Sequence, residues 1–195
     1  MDVTFVASAY TPQQYPPPDR PEVAFAGRSN VGKSSVLNKL INRRHLAATS
    51  SKPGRTRSIN FFAVGKDLYL VDLPGYGYAK VPTHVKKGWK KLVEAYLLER
   101  PTLRGVVLIL DIRRDPGSDD LDLIQWLQHH RIPVLLVLTK ADKLSRQRAL
   151  NRAAAIFKSL KHMNLPMPLV FSSRTGMGKE QLWDSIMNLV EGPSI

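Results

Sequence analysis

Residues 27–34 of the chain read Gly27-Arg28-Ser29-Asn30-Val31-Gly32-Lys33-Ser34 and fit the phosphate-loop pattern G-x-x-x-x-G-K-[ST]. The chemistry such a loop performs is anion binding. Glycines let the backbone wrap around phosphate oxygens with its N–H groups pointing inward. A helix beginning at the end of the loop adds its partial positive charge. Lys33 would reach the β- and γ-phosphates, where its charge would act in catalysis, and the Ser34 hydroxyl would ligate Mg²⁺. A second cluster, Asp72-Leu73-Pro74-Gly75, follows an apolar stretch. Asp72 is placed to hold Mg²⁺ through water, and Gly75 would let a backbone N–H approach the γ-phosphate.

These two clusters would serve ATP or GTP equally. Thr139-Lys140-Ala141-Asp142 bears on the base. A carboxylate accepts two hydrogen bonds, and guanine offers N1–H and its N2 amine side by side. Adenine presents an acceptor there, so Asp142 would be left facing it, at a cost of ~1–3 kcal/mol or more for a charged group. Lys140 would lay its aliphatic stem along the base plane. Taken alone, the segment reads more readily as a solvated Lys/Asp pair at a helix start. Phe171-Ser172-Ser173 could present backbone N–H groups to guanine O6, although serine clusters also make ordinary turns and caps.

The elements that must position these groups follow from periodicity. Apolar strands are expected at 22–26, 58–64, 68–71, 106–110, 133–138 and 169–171, with helices at 34–42, 85–99, 120–130, 146–163 and 179–190. Gly65-Lys66-Asp67 reads as a hairpin turn between two of the strands, and 43–57 as polar and irregular. Apolar strands alternating with helices imply an α/β fold. We expect a mostly parallel six-stranded sheet with one antiparallel strand and helices on both faces. In such sheets ligands bind at the carboxyl ends of the strands, where all four motifs fall. Residues 11–21 contain five prolines, so residues 1–21 are read as an extended Pro-rich segment ahead of a domain spanning 22–195.

Composition narrows the function. The chain has no cysteine, which excludes disulfides, thiolate metal sites and thiol nucleophiles. No apolar run approaches the ~18 residues that span a bilayer. The N-terminus lacks the pattern of a signal peptide, so a cytoplasmic protein without a membrane partner is expected. The net charge is +13. Residues 23–93 carry 14 bases against two acids, Asp67 and Asp72. A one-sided excess attracts polyanions such as RNA. Lys86, Lys87, Lys90 and Lys91 share one face of the helix expected at 85–99, opposite Val85, Trp89, Leu92, Val93 and Tyr96.

In the order of its motifs, the chain resembles the EngB (YihA/YsxC) family of Era/EngA/EngB/TrmE-like TRAFAC-class GTPases. The carrying residues are GRSNVGKSS at 27–35, PGRTRSINFF at 53–62, DLPGYGYA at 72–79, TKAD at 139–142 and FSS at 171–173. The resemblance implies a Ras-like P-loop GTPase fold, binding of GTP and GDP with Mg²⁺, and GTP hydrolysis. It makes Gly54, Arg55, Thr56, Arg57 and Ser58 the switch-I contact segment. Thr56 would join Ser34 on Mg²⁺ when the γ-phosphate is present. Asn30 matches an asparagine that in related proteins helps hold K⁺ beside the phosphates. Tyr76 stands where Ras has its water-orienting glutamine, so turnover is expected to be slow. The resemblance also implies a switch in bacterial ribosome assembly on the large subunit, with ribosomal RNA or a subunit as partner, and a role in cell division and septation. The protein is expected to be a monomer. Two other readings compete: a P-loop kinase or ATPase, and a constitutive RNA binder with a vestigial nucleotide site.

Overall fold

A seven-stranded sheet organises the chain in the order β1-β3-β4-β2-β5-β6-β7. The computed structural model describes residues 2–43, 58–76 and 83–192, with side chains described throughout these except in 83–89. The strands are β1 (Val3–Ala9), β2 (Glu22–Gly27), β3 (Ile59–Val64), β4 (Leu68–Asp72), β5 (Leu103–Asp111), β6 (Val134–Thr139) and β7 (Leu169–Val170). The helices are α1 (Lys33–Leu40), α2 (Thr83–Glu99), α3 (Ser118–His129), α4 (Arg146–Ser159) and α5 (Lys179–Glu191). β3 runs antiparallel to both neighbours, and the remaining pairings are parallel.

Alternation along the central strands builds two cores. Ala24 and Ala26 of β2 and Val106, Leu108 and Leu110 of β5 face Tyr96, Ile124, Leu127, Ala153 and Ile156. Val23, Phe25, Val107 and Ile109 face the other way, onto Val36, Leu37, Leu40, Leu182 and Ile186. Helices α2, α3 and α4 therefore cover one face, and α1 and α5 the other. β2 is buried along its whole length, as a central parallel strand should be.

The structure departs from expectation in two places. The sheet has seven strands where six were expected, because Val3–Ala9 adds an edge strand on β3. Its apolar signal is weak: only Val3 and Ala9 are buried, and the register shifts between Phe5 and Ala7. A strand that pairs on one side and is irregular in register leaves no clean alternation to read. The helix expected over 146–163 ends at Ser159. A 3₁₀ turn at Lys161–Met163 follows, closed by Asn164 at φ 49°.

Candidate functional site

The loop between β2 and α1 needs two residues in the left-handed region, Asn30 at φ 62° and Gly32 at φ 108°. Asparagine and glycine are the residues that tolerate it. Gly32 also lies against the end of β6. A side-chain carbon there would come within 3.7 Å of Thr139 Oγ1 and 4.0 Å of Lys140 Cε. The loop then enters α1, whose first two residues are Lys33 and Ser34. Lys33 is buried, and its ammonium is paired with the buried carboxylate of Asp72 at the end of β4.

The segment after Asp72 is fastened to the loop. Leu73 N–H donates to Phe25 O at 3.0 Å, and Tyr76 N–H to Gly27 O at 3.2 Å. Ser29 N–H returns a bond to Tyr76 O at 3.1 Å. These bonds carry Pro74 and Gly75 past Ser29. The Tyr76 side chain turns toward α3, where its hydroxyl donates to Asp120 Oδ1 at 2.7 Å. Burial, reinforced by the Asp120 charge, pushes the Tyr76 hydroxyl far above the usual tyrosine range, so it remains a neutral donor. Arg28 reaches the same corner, 4.0 Å from Asp120 and 3.7 Å from Asp119.

The third motif grips the loop from the other side. Thr139 is buried, with Oγ1 2.7 Å from Val31 O and 3.0 Å from Leu110 O. Lys140, itself at φ 62°, extends its side chain to donate to Asn30 O at 2.8 Å and to pair with Asp111 Oδ2 at 3.0 Å. Ala141 N–H donates to Phe171 O at 3.2 Å. Asp142 Oδ1 accepts from the Ser172 hydroxyl at 2.8 Å, and Ser172 is fully buried. Ser173 stands half-buried beside it. The two motifs thus interlock, with the second Asp142 oxygen only 4.0 Å from Lys143 Nζ.

Of the expected contact segment, Ser58 is buried, with its hydroxyl 3.1 Å from Asn60 Oδ1. Gly54, Arg55, Thr56 and Arg57 lie outside the described residues. So do the side chains of Lys86 and Lys87; Lys90 and Lys91 are exposed.

Two carboxylates belong to this corner that residue patterns did not single out. Asp111 ends β5 and holds Lys140 and Arg113. Burial pushes its carboxyl up, but the Arg113 guanidinium and the Lys140 ammonium outweigh that and hold it well below the usual carboxylate range. Its position was a usable signal, since it closes an apolar strand as Asp72 does. Asp120 is buried at the start of α3 and also accepts from Gly117 N–H at 2.8 Å. Its role toward Tyr76 depends on tertiary contact and has no sequence signature.

The arrangement provides a strand-to-helix loop, a buried lysine–carboxylate pair at one end and a hydrogen-bonded carboxylate at the other. Residues 22–140 match the family described as 50S ribosome-binding GTPase. A probable GTP-binding protein EngB of Desulfatibacillum aliphaticivorans is 51% identical over 189 residues, covering 96% of this chain and 91% of that protein. One of Syntrophus aciditrophicus is 54% identical over 185 residues, covering 94% and 93%. A crystal structure of a probable GTP-binding protein EngB has a TM-score of 0.65 at 24% identity, covering 87% of this chain and 98% of that one. Era in complex with MgGDPNP and 16S ribosomal RNA shares the fold, with a TM-score of 0.71 at 22% identity over 91% of this chain and 59% of that one.

Proposed function

The chain belongs to the EngB family of GTP-binding proteins, and we propose that it is a slow GTPase working as a nucleotide-dependent switch in assembly of the large ribosomal subunit. The observation that carries the reading is the interlock of motifs distant in sequence. Lys140 and Thr139 bond the carbonyls of Asn30 and Val31, while Asp142 is held by Ser172. A guanine there would give Asp142 two donors. Adenine would give it an acceptor, which counts against a kinase or ATPase reading.

Residues 22–195 would form the G domain, with the phosphates cradled by residues 27–34. Lys33 would transfer from Asp72 to the phosphate oxygens, its charge offsetting negative charge that develops in hydrolysis. Mg²⁺ fits the donor set at this end. Ser34 and Thr56 would supply hydroxyls, and Asp72 would accept from a metal-bound water once Lys33 has left it. The metal would draw charge from the phosphate oxygens. Asn30 is the candidate K⁺ ligand. Tyr76, committed to Asp120, supplies no group to orient a water, which supports slow turnover. Residues 43–57 and 73–85 would be the switches. The low acid content of 23–93 supports an RNA-containing partner. No described helix is long and apolar enough to cross a membrane. A monomer acting in the cytoplasm, with a role in division and septation, is part of the same proposal.

Co-sedimentation with ribosomal subunits tests it. Large-subunit binding should be strong with a non-hydrolysable GTP analogue and weak with GDP or no nucleotide. Equal binding in all three states would instead indicate a constitutive RNA binder.

A further inference from the structure

We propose that the C-terminal end of α1 and the loop 172–179 together form a docking surface for an RNA phosphate backbone. Two segments far apart in the chain meet there. Lys179 Nζ donates to Asn42 Oδ1 at 2.5 Å, and a carbon added at Gly176 would lie 3.2 Å from Lys39 Cε. The meeting gathers Lys39, Arg43, Arg174 and Lys179. Arg43 and Arg174 are exposed and Lys39 and Lys179 half-buried. Among the described residues none of the four is paired with a carboxylate.

The loop is built to one shape. Gly176 and Gly178 have φ of 85° and 78°, and a side chain at Gly178 would stand 2.2 Å from Val170 O. The bases are therefore presented by a preformed surface. On the α1 side the adjoining sequence offers no carboxylate. Residues 23–66 contain nine bases and no acid. On the other side Glu180 follows Lys179 in the first turn of α5, but among the described residues neither it nor Asp184 forms an ion pair with the four bases.

The basic face of α2 differs. Lys90 is 3.6 Å from Glu94 and shares a groove with Asp119 and Asp122, so its field is mixed. Exposed guanidinium groups match phosphodiester oxygens in geometry as well as charge. A lipid surface would need an apolar face to bury, and Met177 is the one large apolar side chain exposed in 38–43 and 172–179.

This inference rests on the proposed RNA partnership but separates from it in one respect. Lys39, Arg174 and Lys179 lie outside the proposed switches and the proposed Mg²⁺ and phosphate contacts, so RNA should bind the GDP-loaded protein as well. Fluorescence anisotropy with a short fluorescein-labelled RNA hairpin, titrated at several salt concentrations against GDP-loaded protein, is the test. Lys39→Glu/Arg174→Glu should weaken binding about tenfold or more. It should lower the log–log salt slope by ~1.4–1.8, for two phosphate contacts at ~0.7–0.9 each. GDP affinity and circular dichroism should be unchanged. Lys158→Glu/Lys161→Glu, on the opposite face of the sheet, makes the same change in net charge and should have little effect. Equal losses in the two variants would overturn the proposal in favour of net charge alone. So would unchanged RNA binding in Lys39→Glu/Arg174→Glu. A loss confined to binding of phosphatidylglycerol–phosphatidylcholine vesicles would overturn it in favour of a lipid surface. Failure here leaves the state-dependent sedimentation above unaffected.

Discussion

The two ends of β2 hold buried charge in different ways. At its start Glu22 is fully buried. Its carboxylate accepts from Arg100 Nε at 2.7 Å, Thr102 Oγ1 at 2.9 Å and Tyr96 Oη at 2.8 Å. Arg100 is held further by Pro16 O at 2.8 Å and lies 5.7 Å from the rings of Tyr15 and Phe61. Every partner belongs to the protein, so the cluster is closed. At the other end, among the described residues, Lys33 and Asp72 satisfy chiefly each other. An ammonium and a carboxylate joined in one pair can be parted by a phosphate and a hydrated metal without leaving either charge unmatched. One end of the strand is fixed by its ion pair; at the other, the proposed phosphate and metal would exchange with the pair, and that end faces residues 27–34.

Breaking each pair should give opposite signatures. Glu22→Ala leaves Arg100 buried without its carboxylate and should cost ~3–5 kcal/mol in denaturant unfolding, the usual penalty for stranding one member of a buried pair. GDP affinity of the folded fraction should hardly change. Lys33→Ala should weaken GDP and GTP binding by ~10–150-fold, the equivalent of a charge-assisted bond worth ~1.5–3 kcal/mol. Nucleotide titrations alongside unfolding curves check both. If Glu22→Ala impairs binding as much as Lys33→Ala does, the two ends are not independent. Thr56→Ala sharpens the same contrast, because it should weaken GTP-specific ordering and spare GDP. Equal effects on both nucleotides would remove Thr56 from the metal site.

The exchangeable end was more legible in sequence than the fixed end. A phosphate loop needs glycines, a lysine and a serine at set spacing, so residues 27–34 announce themselves. Asp72 and Asp142 could be placed because apolar strands precede them. Glu22 could not be distinguished from a surface carboxylate, since its partners Tyr96, Arg100 and Thr102 come from about 74 to 80 positions away. Tyr76 was recognised only as lacking a glutamine's chemistry. That its hydroxyl closes on Asp120 depends on how α3 packs. The edge strand β1 was missed because register irregularity and exposure erase its alternation.

Smaller effects refine the exchangeable end. Asp111 anchors Lys140, and its depressed pKa stabilises the fold above the unfolded carboxylate value near ~3.9, with that contribution lost as pH falls through the folded value. Asp111→Asn should therefore lower stability at neutral pH by ~1 kcal/mol, as for a partly screened pair, and flatten the acid limb of the stability–pH curve. A pH series of urea melts reads this directly. Smaller again is the monovalent-ion effect. If Asn30 helps place K⁺, phosphate release should be faster in K⁺ than in Na⁺ at equal ionic strength. Identical rates would leave Asn30 a loop residue.

Guanine recognition is the claim on which the switch depends, and Asp142 is the residue that tests it. Asp142→Asn keeps the shape of the side chain and the reach to Ser172 but replaces one acceptor with a donor. Titrating wild type and variant with GTP and with xanthosine triphosphate, whose base carries an acceptor where guanine has its amine, is the direct measurement. The variant should lose GTP affinity by ~10-fold or more and gain xanthosine triphosphate binding. A variant that binds GTP like wild type and shows no gain for xanthosine triphosphate would contradict it.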